Sequence, residues 1–162
     1  MAGFTTHKDK NKGGGQRCPF HPTIITAFGG SILRVWRETS LSPAQSMTAN
    51  VDGYQRGIRL FNAREFYDAH EVWEDVWRES QGAEKRFLQG LIQAAVAFHH
   101  HSTGNVAGAC SLMERARKNL AACPVELGGI RVSGLLESLG QWRAALAYGG
   151  ATPAHPVLVA VE

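Results

Sequence analysis

The sequence predicts an all-α protein, a compact bundle of about five helices behind a basic N-terminal tail. Three observations carry this. From about Ala49 onward, apolar residues recur every three or four positions, the period of helices that bury one face. The stretch from Phe87 to Phe98 is apolar nearly all round, which suits a helix enclosed by others. There is no alternation of strand-like and helical runs and no internal repeat, so a parallel α/β sheet is not expected.

The elements follow in order. Tyr54, Ile58 and Phe61 repeat at helical spacing and give a first helix ending near Asn62. A second runs from about Glu65 to Glu79, and Gln81-Gly82 punctuates it. A third runs from about Ala83 to His101, with Gly90, Ala94, Ala95 and Ala97 leaving room for neighbours to come close. Thr103-Gly104-Asn105 reads as a glycine C-cap followed by an asparagine N-cap. In the fourth helix Val106, Ala109, Met113, Ala116 and Leu120 stay in step, and Pro124 stops it. Gly128-Gly129 marks a loop, and Leu135, Leu139, Trp142 and Leu146 stitch a fifth helix from about Ser133 to Tyr148. The expected organisation is a flexible basic extension over 1–47, a helical domain over 48–148, and a C-terminal tail over 149–162 that docks as an extended segment.

A chain of 162 residues, 44% apolar and 19% charged, is long enough for one domain with a core. The net charge of +3 conceals an asymmetry. Residues 1–37 carry six basic residues and one acid, so the remainder is mildly acidic at −2. Nucleic acid is therefore not an expected partner of the folded part. Residues 8–16 are polar and glycine-rich with nothing to bury, whereas Ile24 to Trp36 is apolar enough to pack on the domain. No run approaches the roughly 18 apolar residues of a membrane span. Cys18, Cys110 and Cys123 lack metal-type spacing and read as free thiols in a reducing compartment, which points to the cytoplasm.

The chemistry concentrates in the run Phe66 to Arg78. On a helix, His70 and Glu74 stand one turn apart beside Trp73 and Trp77, with Glu71 and Asp75 adjacent. Phe66, Tyr67, Trp73 and Trp77 would supply an aromatic lining, Trp73, Trp77 and Trp142 mainly as core fillers. On the third helix Gln89, Gln93 and His100 fall on one stripe. If the second and third helices lie antiparallel, His70 and Glu74 would meet Gln93 or His100 across their interface. Two imidazoles and a carboxylate on facing helices suit a divalent metal held by His70, Glu74 and His100, or a proton-transfer pair. The run differs from the zinc-protease pattern His-Glu-x-x-His, because Glu74 stands where the second histidine belongs. The same residues can also form a hydrogen-bond network that locks helix register. The triplet His99-His100-His101 cannot all point inward, since successive residues lie about 100° apart.

Several motifs in one order resemble a family of small helical proteins catalogued as a domain of unknown function, number 309. They are Leu60-Phe61-Asn62, Phe66-Tyr67-x-Ala69-His70-Glu71-x-x-Glu74-x-x-Trp77-Arg78, Phe87 to Ala95, His100, Gly104-Asn105 and Gly108-Ala109. The similarity spans roughly Tyr54 to Ala121, and Trp73 fills a position that is often aliphatic. The resemblance implies a compact helical bundle and carries the family's characteristic polar residues onto His70, Glu71, Glu74, Gln93, His100 and Asn105. It implies no activity, cofactor or partner. The residues leave two functions open: a polar pocket for a small ligand or divalent metal, with Glu74 as base or ligand and His70 and His100 as ligands or proton carriers, or a non-catalytic interaction domain in which the polar residues are structural.

Overall fold

The computed structural model describes residues 50–159; the expectations for the extension, including the docking of Ile24 to Trp36, lie outside them. Five helices account for most of these residues: α1 (Val51–Asn62), α2 (Phe66–Glu79), α3 (Gly82–Ser102), α4 (Val106–Ala121) and α5 (Val132–Tyr148). Short connections make sequence neighbours pack side by side, α1 on α2, α2 on α3, α3 on α4 and α4 on α5. The predicted all-α bundle is therefore the observed one, with ends displaced by only a residue or two.

Each helix forms where its apolar stripe and caps agree. The Asn50 side chain accepts from Gly53 N–H and starts α1, and Asn105 accepts from Gly108 N–H and starts α4. Gly104, at φ 80°, supplies the left-handed residue after α3. α2 buries Phe66, Ala69, Trp73 and Val76, one face of its cylinder.

α3 is the central helix. Phe87, Leu88, Leu91, Ala94, Ala95, Ala97 and Phe98 are all fully buried, as its lack of a sustained polar face predicts. Small residues set the helix spacing. A Cβ on Gly90 would stand 2.6 Å from Leu120 Cγ, and one on Gly57 would stand 2.2 Å from Trp73 Nε1. α1 can therefore lie against the Trp73 indole, whose N–H donates to the Tyr54 carbonyl at 3.2 Å.

The expected loop at Gly128-Gly129 is a small hairpin, β1 (Glu126–Leu127) paired antiparallel with β2 (Ile130–Arg131). Both glycines have positive φ, 59° and 74°, as a tight two-residue hairpin turn requires. Strands of two residues are too short to show alternation, which is why they were not legible as strands. The hairpin buries Leu127 and Ile130, and the Tyr54 hydroxyl donates to the Gly128 carbonyl at 2.8 Å. Burial, with a smaller push from Glu84, holds that phenol well above its ordinary pKa.

The C-terminal segment docks, as expected. Asn62 grips both backbone polar groups of Leu158: Nδ2 donates to the Leu158 carbonyl at 2.9 Å, and Oδ1 accepts from its N–H at 2.8 Å. The Leu158 side chain is buried, and Trp142 Nε1 donates to the Ala154 carbonyl at 3.0 Å. Cys123 is a free thiol whose pKa burial raises against the pull of Arg86. Cys110 is buried and disulfide-bonded, so the expectation of free thiols throughout does not hold.

Candidate functional site

The run on α2 divides by angle around its helix. Trp73 is fully buried, Glu71, Asp75 and Arg78 are exposed, and His70, Glu74 and Trp77 lie between. Arg78 pairs with Glu74 at 3.6 Å and more closely with Asp75, forming a solvated ladder along the helix. Exposed pairs of this kind contribute at most about 1 kcal/mol. Glu74 is thus engaged by its own helix rather than by α3.

His70 sits near the start of α2, where its Nδ1 bonds the Tyr67 carbonyl. A carbonyl only accepts, so Nδ1 carries a proton. Tyr67 is half exposed. Its ring stands between the His70 imidazole, centroids 4.7 Å apart, and that of His99 on α3, 5.3 Å apart.

The stripe on α3 forms as its spacing predicts, but it faces α4 rather than α2. Gln93 Oε1 accepts from Asn119 Nδ2 of α4 at 2.9 Å, and His100 Nδ1 lies 3.2 Å from Asn105 Nδ2 at the start of α4. Because α3 is sandwiched, the face carrying Gln93 and His100 meets α4 and its N-cap rather than α2. The expected meeting of His70 and Glu74 with Gln93 or His100 does not occur. The buried network is absent in that form too: Glu71 and Asn105 are exposed, and His70, Glu74, Gln93 and His100 are half buried. Among the described residues, no group of three or more His, Cys, Asp or Glu side chains is placed to hold a metal ion. His70, Glu74 and His100 turn instead to Tyr67, Arg78 and Asn105.

The histidine triplet fans over three faces, as helical geometry demands. His99 meets Tyr67 of α2, His100 meets Asn105, and His101 stands edge-on to Trp142 of α5 at 5.0 Å. Sequence reasoning missed a fourth imidazole. His155, in the docked tail, stacks on Phe66 at 5.4 Å and packs on Trp142 at 4.7 Å and Phe98 at 5.2 Å. Burial lowers its pKa, and the charges of Arg64 and His101 lower it further. Nothing local in the tail announces this; only the tail's return across the bundle creates the contact.

Two concave surfaces stand out. A groove of about 270 Å³ is lined by Trp77, Gly82, Lys85, Arg86, Gln89 and Asn119, at the seam of α2, α3 and α4. Lys85 Nζ stands 4.2 Å over the Trp77 ring, so Trp77, half buried and packed against the core as expected, also offers a face to a cation. A larger cleft of about 410 Å³ lies between the first turns of α5 and the docked tail, and includes Ile130, Leu135, Pro156 and Leu158.

The similar proteins found are described only as uncharacterized and bring no activity to the site. The chain is 36% identical over 87 residues to an uncharacterized protein of Aquifex aeolicus (strain VF5), covering 53% of this chain and 24% of that one. It is 40% identical over 66 residues to the uncharacterized protein YpuF of Bacillus subtilis (strain 168), covering 40% and 38% respectively. The matches thus span between a quarter and two fifths of these relatives' own lengths. The resemblance seen in the sequence is borne out over α1, α2, α3 and the first part of α4: residues 54–112 match the family described as "Domain of unknown function (DUF309)".

Proposed function

We propose that this is a non-catalytic binding domain for a small anionic ligand, received in the groove between Trp77 and Asn119. One observation carries the proposal. Lys85 and Arg86 line a single concave surface, and among the described residues neither has a carboxylate within ion-pair distance. Two cations sharing a groove attract one carboxylate or phosphate strongly, since at 4 Å and partial burial each unit-charge contact is of order 4 kcal/mol before desolvation. The Trp77 face holds the Lys85 ammonium in place in advance, which lowers the entropic cost of binding. Gln89 and Asn119 add amide groups, and Gln93 orients that of Asn119.

A divalent metal at His70, Glu74 and His100 is not part of this proposal, because the three side chains are committed to separate partners. The histidines at the other end of α3 favour a second reading, a protein-docking surface, on the evidence of Tyr67: its ring is 51% exposed between two imidazoles.

Titration of the full chain with inorganic phosphate, and separately with a nucleoside monophosphate, tests the first reading. The Trp77 indole N–H resonance should shift saturably. Lys85→Ala and Arg86→Ala should each weaken binding about tenfold, equivalent to about 1.4 kcal/mol. A shift that never saturates, or that persists unchanged in both variants, would overturn it.

A further inference from the structure

The larger cleft has the character of an interface without its partner. Its walls include Ile130, Leu135 and Leu158, and its rim carries Val157 and Val159, which are 64% and 67% exposed. Together the apolar walls and these two valines form one contiguous apolar surface, of the kind interaction sites use.

We propose that the cleft is the docking site for the Ile24–Trp36 segment of this chain. Three observations select that occupant. First, the segment is where the extension's apolar side chains concentrate: Ile24, Ile25, Phe28, Ile32, Leu33, Val35 and Trp36, against the polar, glycine-rich run before it. Second, the chain enters the bundle beside the cleft. The first turn of α1 is bonded to the hairpin through Tyr54 and Gly128, and the other strand of that hairpin supplies Ile130 and Arg131 to the cleft wall. Third, the tether is long enough. Thirteen residues separate Trp36 from Asn50, a reach of up to about 45 Å when extended. A tethered segment also docks at a high effective concentration, so modest apolar complementarity suffices.

Limited trypsin digestion of the full chain, read by mass spectrometry, tests this directly. Arg34 and Arg37 lie in or beside the docked segment, while Lys8, Lys10 and Lys12 lie in the polar run and serve as internal controls. Cleavage after Arg34 should be at least tenfold slower than after the three lysines. Val157→Asp and Val159→Asp, both at exposed positions that leave the core intact, should remove that protection; so should Ile32→Asp. Equal cleavage at Arg34 and the lysines in the wild-type chain would overturn the proposal. Protection that disappears on dilution, together with a dimer by light scattering, would overturn it in favour of a second copy as the occupant. The phosphate titration of the Trp77 groove reads a different face, so either result stands without the other.

Discussion

Asn105 does two things for the helix ends around it. Its Oδ1 accepts from the Gly108 N–H at 2.9 Å, which leaves Nδ2 to face His100 Nδ1 at 3.2 Å. An amide nitrogen can only donate, so the cap dictates that His100 carries its proton on Nε2. His70, bonded to a carbonyl, carries its own on Nδ1. The two imidazoles thus present opposite tautomers, for reasons wholly local to each.

Nitrogen chemical shifts of the imidazoles should show that opposition in the wild-type protein. Asn105→Ala should randomise the His100 tautomer, leave His70 unchanged, and lower stability by about 1 kcal/mol through loss of the cap. An unchanged His100 spectrum would show that the amide does not orient the ring.

Gly57 is where α1 and α2 come closest. Gly57→Ala would put a methyl group 2.2 Å from the Trp73 indole nitrogen, which is fully buried and bonded to Tyr54. Overpacking of that kind costs on the order of 1–3 kcal/mol or more. Chemical denaturation should report it, while Gly134→Ala, which meets nothing within 4 Å, should be neutral or slightly stabilising.

The Asn62 clamp holds the C-terminal segment. Asn62→Ala strands both backbone polar groups of Leu158 and should release the tail locally, at about 1–3 kcal/mol. Hydrogen exchange should accelerate at residues 154–159 and leave the Phe87 to Phe98 amides protected. Acceleration throughout α3 would mean that the tail is integral to the core.

His155 makes stability depend on pH. Its folded pKa lies below the ordinary 6.5, because burial and the cations Arg64 and His101 disfavour the imidazolium. The unfolded chain therefore takes up the proton first as pH falls. The stabilisation is fully present above about 6.5 and is lost as pH drops through that value toward the folded pKa. Thermal melts should show the midpoint falling across this window, and His155→Leu should flatten the fall. An identical slope in the variant would remove His155 as the cause.

Local chemistry made the helices legible. The Phe87 to Phe98 stretch has no sustained polar face, so burial on all sides follows from its composition. Asn105 and Gly104 mark a boundary because only certain residues satisfy orphan N–H groups or adopt positive φ. The stripe of Gln89, Gln93 and His100 was legible too, since helical period is a property of the chain alone.

What the stripe faces was not. Periodicity gives the angle between residues on one helix and says nothing of which neighbour occupies that angle, and a central helix has two neighbours with equal claim. Only packing put Gln93 against Asn119 of α4, while Glu74 and His100 found partners close by in the chain, Arg78 and Asn105, and the expected cluster did not form. The same holds for His155 and for the cation pair beside Trp77, whose surroundings come from distant parts of the chain. Sequence by itself determined the helices, their caps and the residues each buries, because these depend on contacts within a turn or two. The tertiary structure alone decided which polar groups meet across helices, because that depends on the order and rotation in which the helices pack.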